Sequence, residues 1–229
     1  MNNRVLFLFI IALVSISCTA QKTFTILGTL SGGEYDGQKV YLQMLDSTWD
    51  TRELITVDTT TIANGKFTFK GIAGNRPAIH YIQLLNPPQF MSEPVFFALE
   101  PGTIKIDIDS IPVIGGTPVN KDYNKYAVAE AQFTKDIVAL YDQLSKDKTN
   151  TQLREEVEKR EWEGAIKIRK ERVRFIKANI GNQVGAYTFI YYFGTFSPEE
   201  QNKFMAKINP EYKSIPEVQE KVNMLNAMN

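Results

Sequence analysis

Cys18 is the single cysteine among 229 residues and His80 the single histidine. Those two facts remove most of the chemistry side chains can perform. A dithiol redox centre needs an attacking thiolate and a resolving thiol held close together, and one cysteine cannot supply both. One histidine excludes a multi-histidine metal site, and no catalytic triad can be assembled around it. It lies in AIHYIQLL with Ile82 and Leu84 on the same strand face, which marks it as a satisfied structural histidine. Asp107 and Asp109 are two apart and so share a strand face. They could act as acid and base only in unequal environments, and the alternation around them places both in solvent. Asp46, Asp50 and Asp58 do not have calcium-loop spacing. Asp36-Gly37 and Asn64-Gly65 are turn formers without the strand–loop–helix context of a phosphate site. The sequence therefore assigns no catalytic residue, no metal ligand and no cofactor.

Cys18 has a different chemistry, set by its position. Arg4 precedes an unbroken apolar run from Val5 to Val14, and small residues follow. That run falls short of the roughly 20 residues that span a bilayer and has the form of a secretory signal over residues 1–20. Ser15-Ile16-Ser17-Cys18 resembles a loose lipobox, with Ser15 where Leu or Val is usual. Cleavage before Cys18 would make it a lipid-bearing N-terminus. Cleavage after Ala20 is the alternative and leaves Gln21 first. Either way the expected location is the cell envelope or periplasm, with lipid at Cys18 as the anchor in the first case. The mature chain would be thiol-free and stable without disulfides in an oxidising compartment.

The remaining elements fall into two halves. Phe24, Ile26 and Leu30 share one face of a strand, and Thr23, Thr25 and Thr29 belong largely to the other. SGGEYDG is turn chemistry, KVYLQML resumes a strand, and Asn64-Gly65 suits a type I′ turn because both central residues need positive φ. Ile79–Leu85 and Pro94–Leu99 add strands. Ile104, Ile106 and Ile108 then alternate with Lys105, Asp107 and Asp109. Short strands with regular turn signals predict an antiparallel β-sandwich or barrel-like domain over 24–117. After Asn120 the apolar period becomes three to four: Tyr123, Tyr126, Phe133, Ile137, Leu140 and Leu144, interrupted by Glu130. A polar connector and a charge-laced segment from Leu153 to Ile180 complete a helical hairpin. Val184–Phe193 has the apolar character of a buried helix, Ser197-Pro198 starts another, and a last begins near Pro216. The fold class is α+β, with an α-helical region over 118–229.

Two stretches could carry binding rather than catalysis. Tyr187, Phe189, Tyr191, Tyr192 and Phe193 could line an apolar groove, although such a run more often packs a core. The charged run Arg154–Arg174 has the composition of a solvated helical face. With 26 basic and 26 acidic side chains, the balance argues against nucleic acid as a partner. No apolar stretch after the signal approaches spanning length.

Four segments in order resemble the domain of unknown function 4369 of exported Bacteroides-group proteins: FTILGTLSGGEYDGQKVYLQ, GKFTFKG, EPGTIKIDID and GGTPVNKDY. The resemblance implies a β-rich module that commonly precedes a helical spacer and a thioredoxin-like domain of ResA/TlpA type. No CxxC occurs in these 229 residues. The expectation is thus a non-catalytic binding or positioning module related to the accessory part of periplasmic thiol–disulfide oxidoreductases. Its partner would be a periplasmic redox protein or an envelope ligand, with the membrane reached only through the lipid anchor. The alternatives are the front part of a thioredoxin-like oxidoreductase and an envelope lipoprotein that binds peptides or glycans.

Overall fold

The computed structural model describes residues 22–31, 33–45, 53–74, 77–88, 91, 93–213 and 216–228. Cys18 and the rest of the expected signal over residues 1–20, Asp46 and Asp50 lie outside them. Among the described residues eight strands come first: β1 (Thr23–Leu30), β2 (Lys39–Leu45), β3 (Leu54–Thr61), β4 (Lys66–Ile72), β5 (Ala78–Leu84), β6 (Val95–Leu99), β7 (Gly102–Ile108) and β8 (Val113–Gly115). They form two four-stranded sheets, ordered β4-β1-β7-β8 and β3-β2-β5-β6. Alternation decides which side chains go inside. Ile26, Phe69, Ile104 and Ile106 from the first sheet and Val40, Leu42, Ile82 and Leu84 from the second share one buried core.

One pairing is not announced by the alternation. β1 and β7 run parallel, from Phe24 opposite Gly102 to Leu30 opposite Ile108, whereas the other strand pairs among the described residues are antiparallel. Period two fixes which face a residue occupies but not the direction of its neighbour. A parallel pair needs a long connection, and here that connection contains the whole second sheet.

The Asn64-Gly65 turn has the expected geometry, with φ of 52° and 66°. Asp36 fixes it from outside, its carboxylate accepting the N–H groups of Asn64 and Gly65 at 2.8 Å each. The strands it joins then diverge. Ala63 bridges Lys66, but β3 continues into one sheet and β4 into the other.

Five α-helices follow among the described residues: α1 (Pro118–Lys146), α2 (Thr151–Asn179), α3 (Gln183–Tyr191), α4 (Pro198–Met205) and α5 (Pro216–Met228). The fold is α+β. α1 and α2 form the hairpin. Asn150 caps α2 by accepting from the Leu153 N–H at 2.9 Å, and Asn182 caps α3 in the same way at Gly185. Ser197 and Glu200 make a reciprocal capping box at the start of α4. Ile176, Phe189, Phe193, Phe204 and Val218 build a second core among the helices. None of the described helices is long and apolar enough to cross a membrane.

α1 joins the two halves by closing the sandwich. Both backbone groups of Ala98, on the edge strand β6, point away from β5. Asn120 meets them as a neighbouring strand would: its Oδ1 accepts the Ala98 N–H at 2.8 Å and its Nδ2 donates to the Ala98 carbonyl at 2.7 Å. One turn later Asn124 accepts the Ile114 N–H of β8 at 2.7 Å. One helix thus reaches one edge of each sheet, β6 and β8, and open edges are a common liability of β structure. From α3, Gln183 accepts the Ile79 N–H of β5 at 2.8 Å.

Candidate functional site

The junction between β5–β6 and helices α1 and α3 forms a cleft of about 360 Å³. Its wall on the sheet side comes from Tyr81 and Phe96, which are opposite each other across β5 and β6. Their rings meet edge to face at 5.6 Å. α1 contributes Tyr123, Tyr126 and Glu130, three to four residues apart and hence on one helix face. α3 and the residue after it contribute Tyr187, Tyr191 and Tyr192. Tyr187 stacks on Phe96 with ring centroids 5.8 Å apart, and Tyr123 tilts against Phe96 at 4.9 Å.

Glu130 organises the polar end. Its carboxylate accepts from the Tyr126 hydroxyl at 2.6 Å, from the Tyr192 hydroxyl at 3.0 Å and from the Arg172 guanidinium at 2.8 Å. The same guanidinium lies 3.6 Å from the centroid of the Tyr192 ring. The Arg172 side chain is only 12% exposed and that of Glu130 30%. An ion pair so enclosed survives because carboxylate, guanidinium and phenols satisfy one another.

The electrostatics of the cleft do not favour a nucleophile. Burial pushes the Tyr81, Tyr123 and Tyr126 phenols well above their ordinary value. Tyr192 is pushed up to about 12, first by burial and then by the Glu130 charge. At neutral pH these phenols are protonated hydrogen-bond donors. The arrangement presents aromatic faces, hydroxyl groups and two carboxylates, Glu130 inside and Glu93 at the exposed rim.

The residues singled out by sequence are dispersed. His80 is buried on β5, its Nδ1 3.5 Å from the Ala78 carbonyl and its ring 6.1 Å from Phe97. Burial lowers its pKa. Asp107 is exposed and accepts from the Thr29 hydroxyl at 2.6 Å, and Asp109 accepts the Ser110 N–H at 2.6 Å. Neither lines the cleft. Asp58 accepts the N–H of Thr59 on the exposed strand β3. Among the described residues, no group of three His, Cys, Asp or Glu side chains could hold a metal. The aromatic run divides by helical period: Phe189 and Phe193 enter the second core, while Tyr187, Tyr191 and Tyr192 face the cleft.

Several site residues escaped the sequence reading, among them Tyr81, Glu93 and Phe96 as well as Glu130 and Arg172. Glu130 stood out only as a break in the α1 stripe, and Arg172 was one charge among many in α2. The break was the available signal, since a carboxylate on a buried helix face requires a partner. On α2 the buried face is Val157, Ile168, Phe175 and Ile176. Trp162 and Ile166, apolar residues of the same helix, point outward at 71% and 53% exposure.

Residues 24–123 match the family model described as Domain of unknown function (DUF4369). The match runs from the first buried residue of β1, through Asn120, to Tyr123 in the cleft wall. No curated protein and no solved structure matches the chain.

Proposed function

We propose that this chain is a non-catalytic binding module of the cell envelope that receives its ligand in the tyrosine-lined cleft between sheet and helices. The observation that carries this reading is the convergence of six tyrosines from three elements on one cleft. Burial holds Tyr81, Tyr123, Tyr126 and Tyr192 protonated there. Glu130, the carboxylate at its inner end, is engaged by Arg172. Such a lining provides contact area, orientation and hydrogen bonds, which are the attributes of a recognition pocket. Export by residues 1–20 and lipid attachment at Cys18 would hold the module at a membrane surface. An accessory role beside periplasmic thiol–disulfide oxidoreductases is part of this reading and rests on the resemblance of the four sequence segments, the family matched by residues 24–123 having no described function.

The purified protein should show no turnover in insulin-disulfide reduction, and measurable turnover would refute the non-catalytic reading. Envelope peptides and glycans should include ligands whose binding shifts the ring resonances of Tyr187 and Tyr191. Intact-mass analysis of the membrane fraction should find a diacylglyceryl-modified Cys18. An unmodified species beginning at Gln21 would remove the anchor.

A further inference from the structure

The cleft has an uneven charge. Its lining includes two carboxylates, Glu93 and Glu130, and no lysine, arginine or histidine. Glu130 is answered from behind by Arg172 at 2.8 Å. Glu93, exposed at the rim, makes no hydrogen bond or ion pair with the described residues. Between them lie aromatic faces, whose quadrupoles are negative and attract cations. Tyr191, on the outer side, is 65% exposed, so its ring is available to a ligand.

The protein already accommodates one organic cation in this chemistry. Arg172 places its guanidinium 3.6 Å from the Tyr192 centroid and within hydrogen-bond distance of Glu130, largely out of water. Elsewhere in the lining an arriving cation would meet the Tyr187 and Tyr191 rings and the Glu93 carboxylate. Anionic ligands would meet two carboxylates. A neutral sugar could stack on the rings but would leave the Glu93 charge unanswered.

We propose that the cleft selects an organic cation, an ammonium or guanidinium group such as the end of a lysine or arginine side chain, held by Tyr187, Tyr191 and Glu93. This rests on the binding-module reading and specifies its ligand. A volume of about 360 Å³ suits a single side chain or small amine, near the lower limit of small-molecule sites.

The test is a titration of the full-length exported protein, followed by tyrosine-ring NMR. N-acetyl-arginine amide, N-acetyl-lysine amide and tetramethylammonium are the cationic probes. N-acetyl-citrulline amide is the neutral isostere, and a panel of neutral oligosaccharides completes the set. The cations should shift the Tyr187 and Tyr191 rings, and arginine amide should bind about tenfold more tightly than citrulline amide. Glu93→Gln, at an exposed position, should weaken the cations about fivefold and leave citrulline unchanged. Equal binding of arginine and citrulline amides would overturn the cation assignment. So would oligosaccharides that shift these rings while cations do not, although the binding-module reading would then stand. No shift from any probe would count against both.

Discussion

Replacing Asn120 by alanine should destabilise the protein by about 2–6 kcal/mol, since it leaves two buried polar groups unsatisfied at about 1–3 kcal/mol each. Asn120 is 0% exposed and so is Ala98, whose N–H and C=O it satisfies at 2.8 and 2.7 Å. The same amide also donates to the Thr117 hydroxyl at 2.8 Å. Alanine would leave both Ala98 groups without a partner at a buried edge. Aspartate keeps the shape and the acceptor but turns an oxygen towards the Ala98 carbonyl, so Asn120→Asp should be no milder. Asn124→Ala is the internal comparison: it removes one hydrogen bond, to the partly buried Ile114 N–H, and should cost about 1 kcal/mol. Urea unfolding followed by far-UV circular dichroism, with the slope checked for constancy, measures all three. If Asn120→Ala cost less than about 0.5 kcal/mol, or less than Asn124→Ala, edge closure by α1 would not be a determinant of stability.

Three further outcomes are expected. Gly28 lies opposite Phe67, and a Cβ there would fall 1.9 Å from the ring. Gly28→Ala should therefore cost about 1–3 kcal/mol by overpacking, and Phe67→Leu in the same chain should recover part of it in thermal melts. Glu130→Leu strands the enclosed Arg172 guanidinium and should cost about 3–5 kcal/mol, whereas Glu130→Leu with Arg172→Met should lose less than the single variant. Burial holds the His80 pKa below its ordinary 6.5. Below about pH 6.5 the unfolded chain takes up a proton that the folded chain refuses, so this contribution is whole above that pH and is lost as pH falls. Glu100, raised by burial, acts in the opposite sense at lower pH. A His80→Gln variant isolates the histidine: its stability should fall less than the parent's between pH 7.5 and 5.5, and an equal fall would refute the assignment.

The alternating strands, the type I′ turn, the helical hairpin and the Ser197 cap were legible because each depends on neighbours close in sequence. Ile104, Ile106 and Ile108 identified their own inner face without reference to their partners. Strand direction was not legible in this way, since β1 beside β7 is a choice made across the whole domain. The cleft was half legible. Tyr187, Tyr191 and Tyr192 were visible as an aromatic run, but their separation from Phe189 and Phe193 depends on where α2 and α4 pack. Glu130 and Arg172 are 42 positions apart, and each taken singly reads as an ordinary helix charge. Asn120 carried no signal at all in the sequence. Its role exists only because Ala98 turns both backbone groups outward.

The parallel pairing of β1 and β7 has a kinetic consequence. Thr29 meets Asp107, which lies 78 positions later in the chain. A ribosome or translocation channel therefore releases β1 long before its central partner exists, with only β4 available to flank it meanwhile. Neither sheet can shield its last edge until the first two turns of α1 have also emerged. Non-local closure of this sort slows folding and lengthens the interval in which open strands can pair with other chains. The cleft is completed only after the β half, because its walls come from β5, β6, α1 and α3 together. A ligand that occupies it would thus recognise only molecules whose entire β half had already closed.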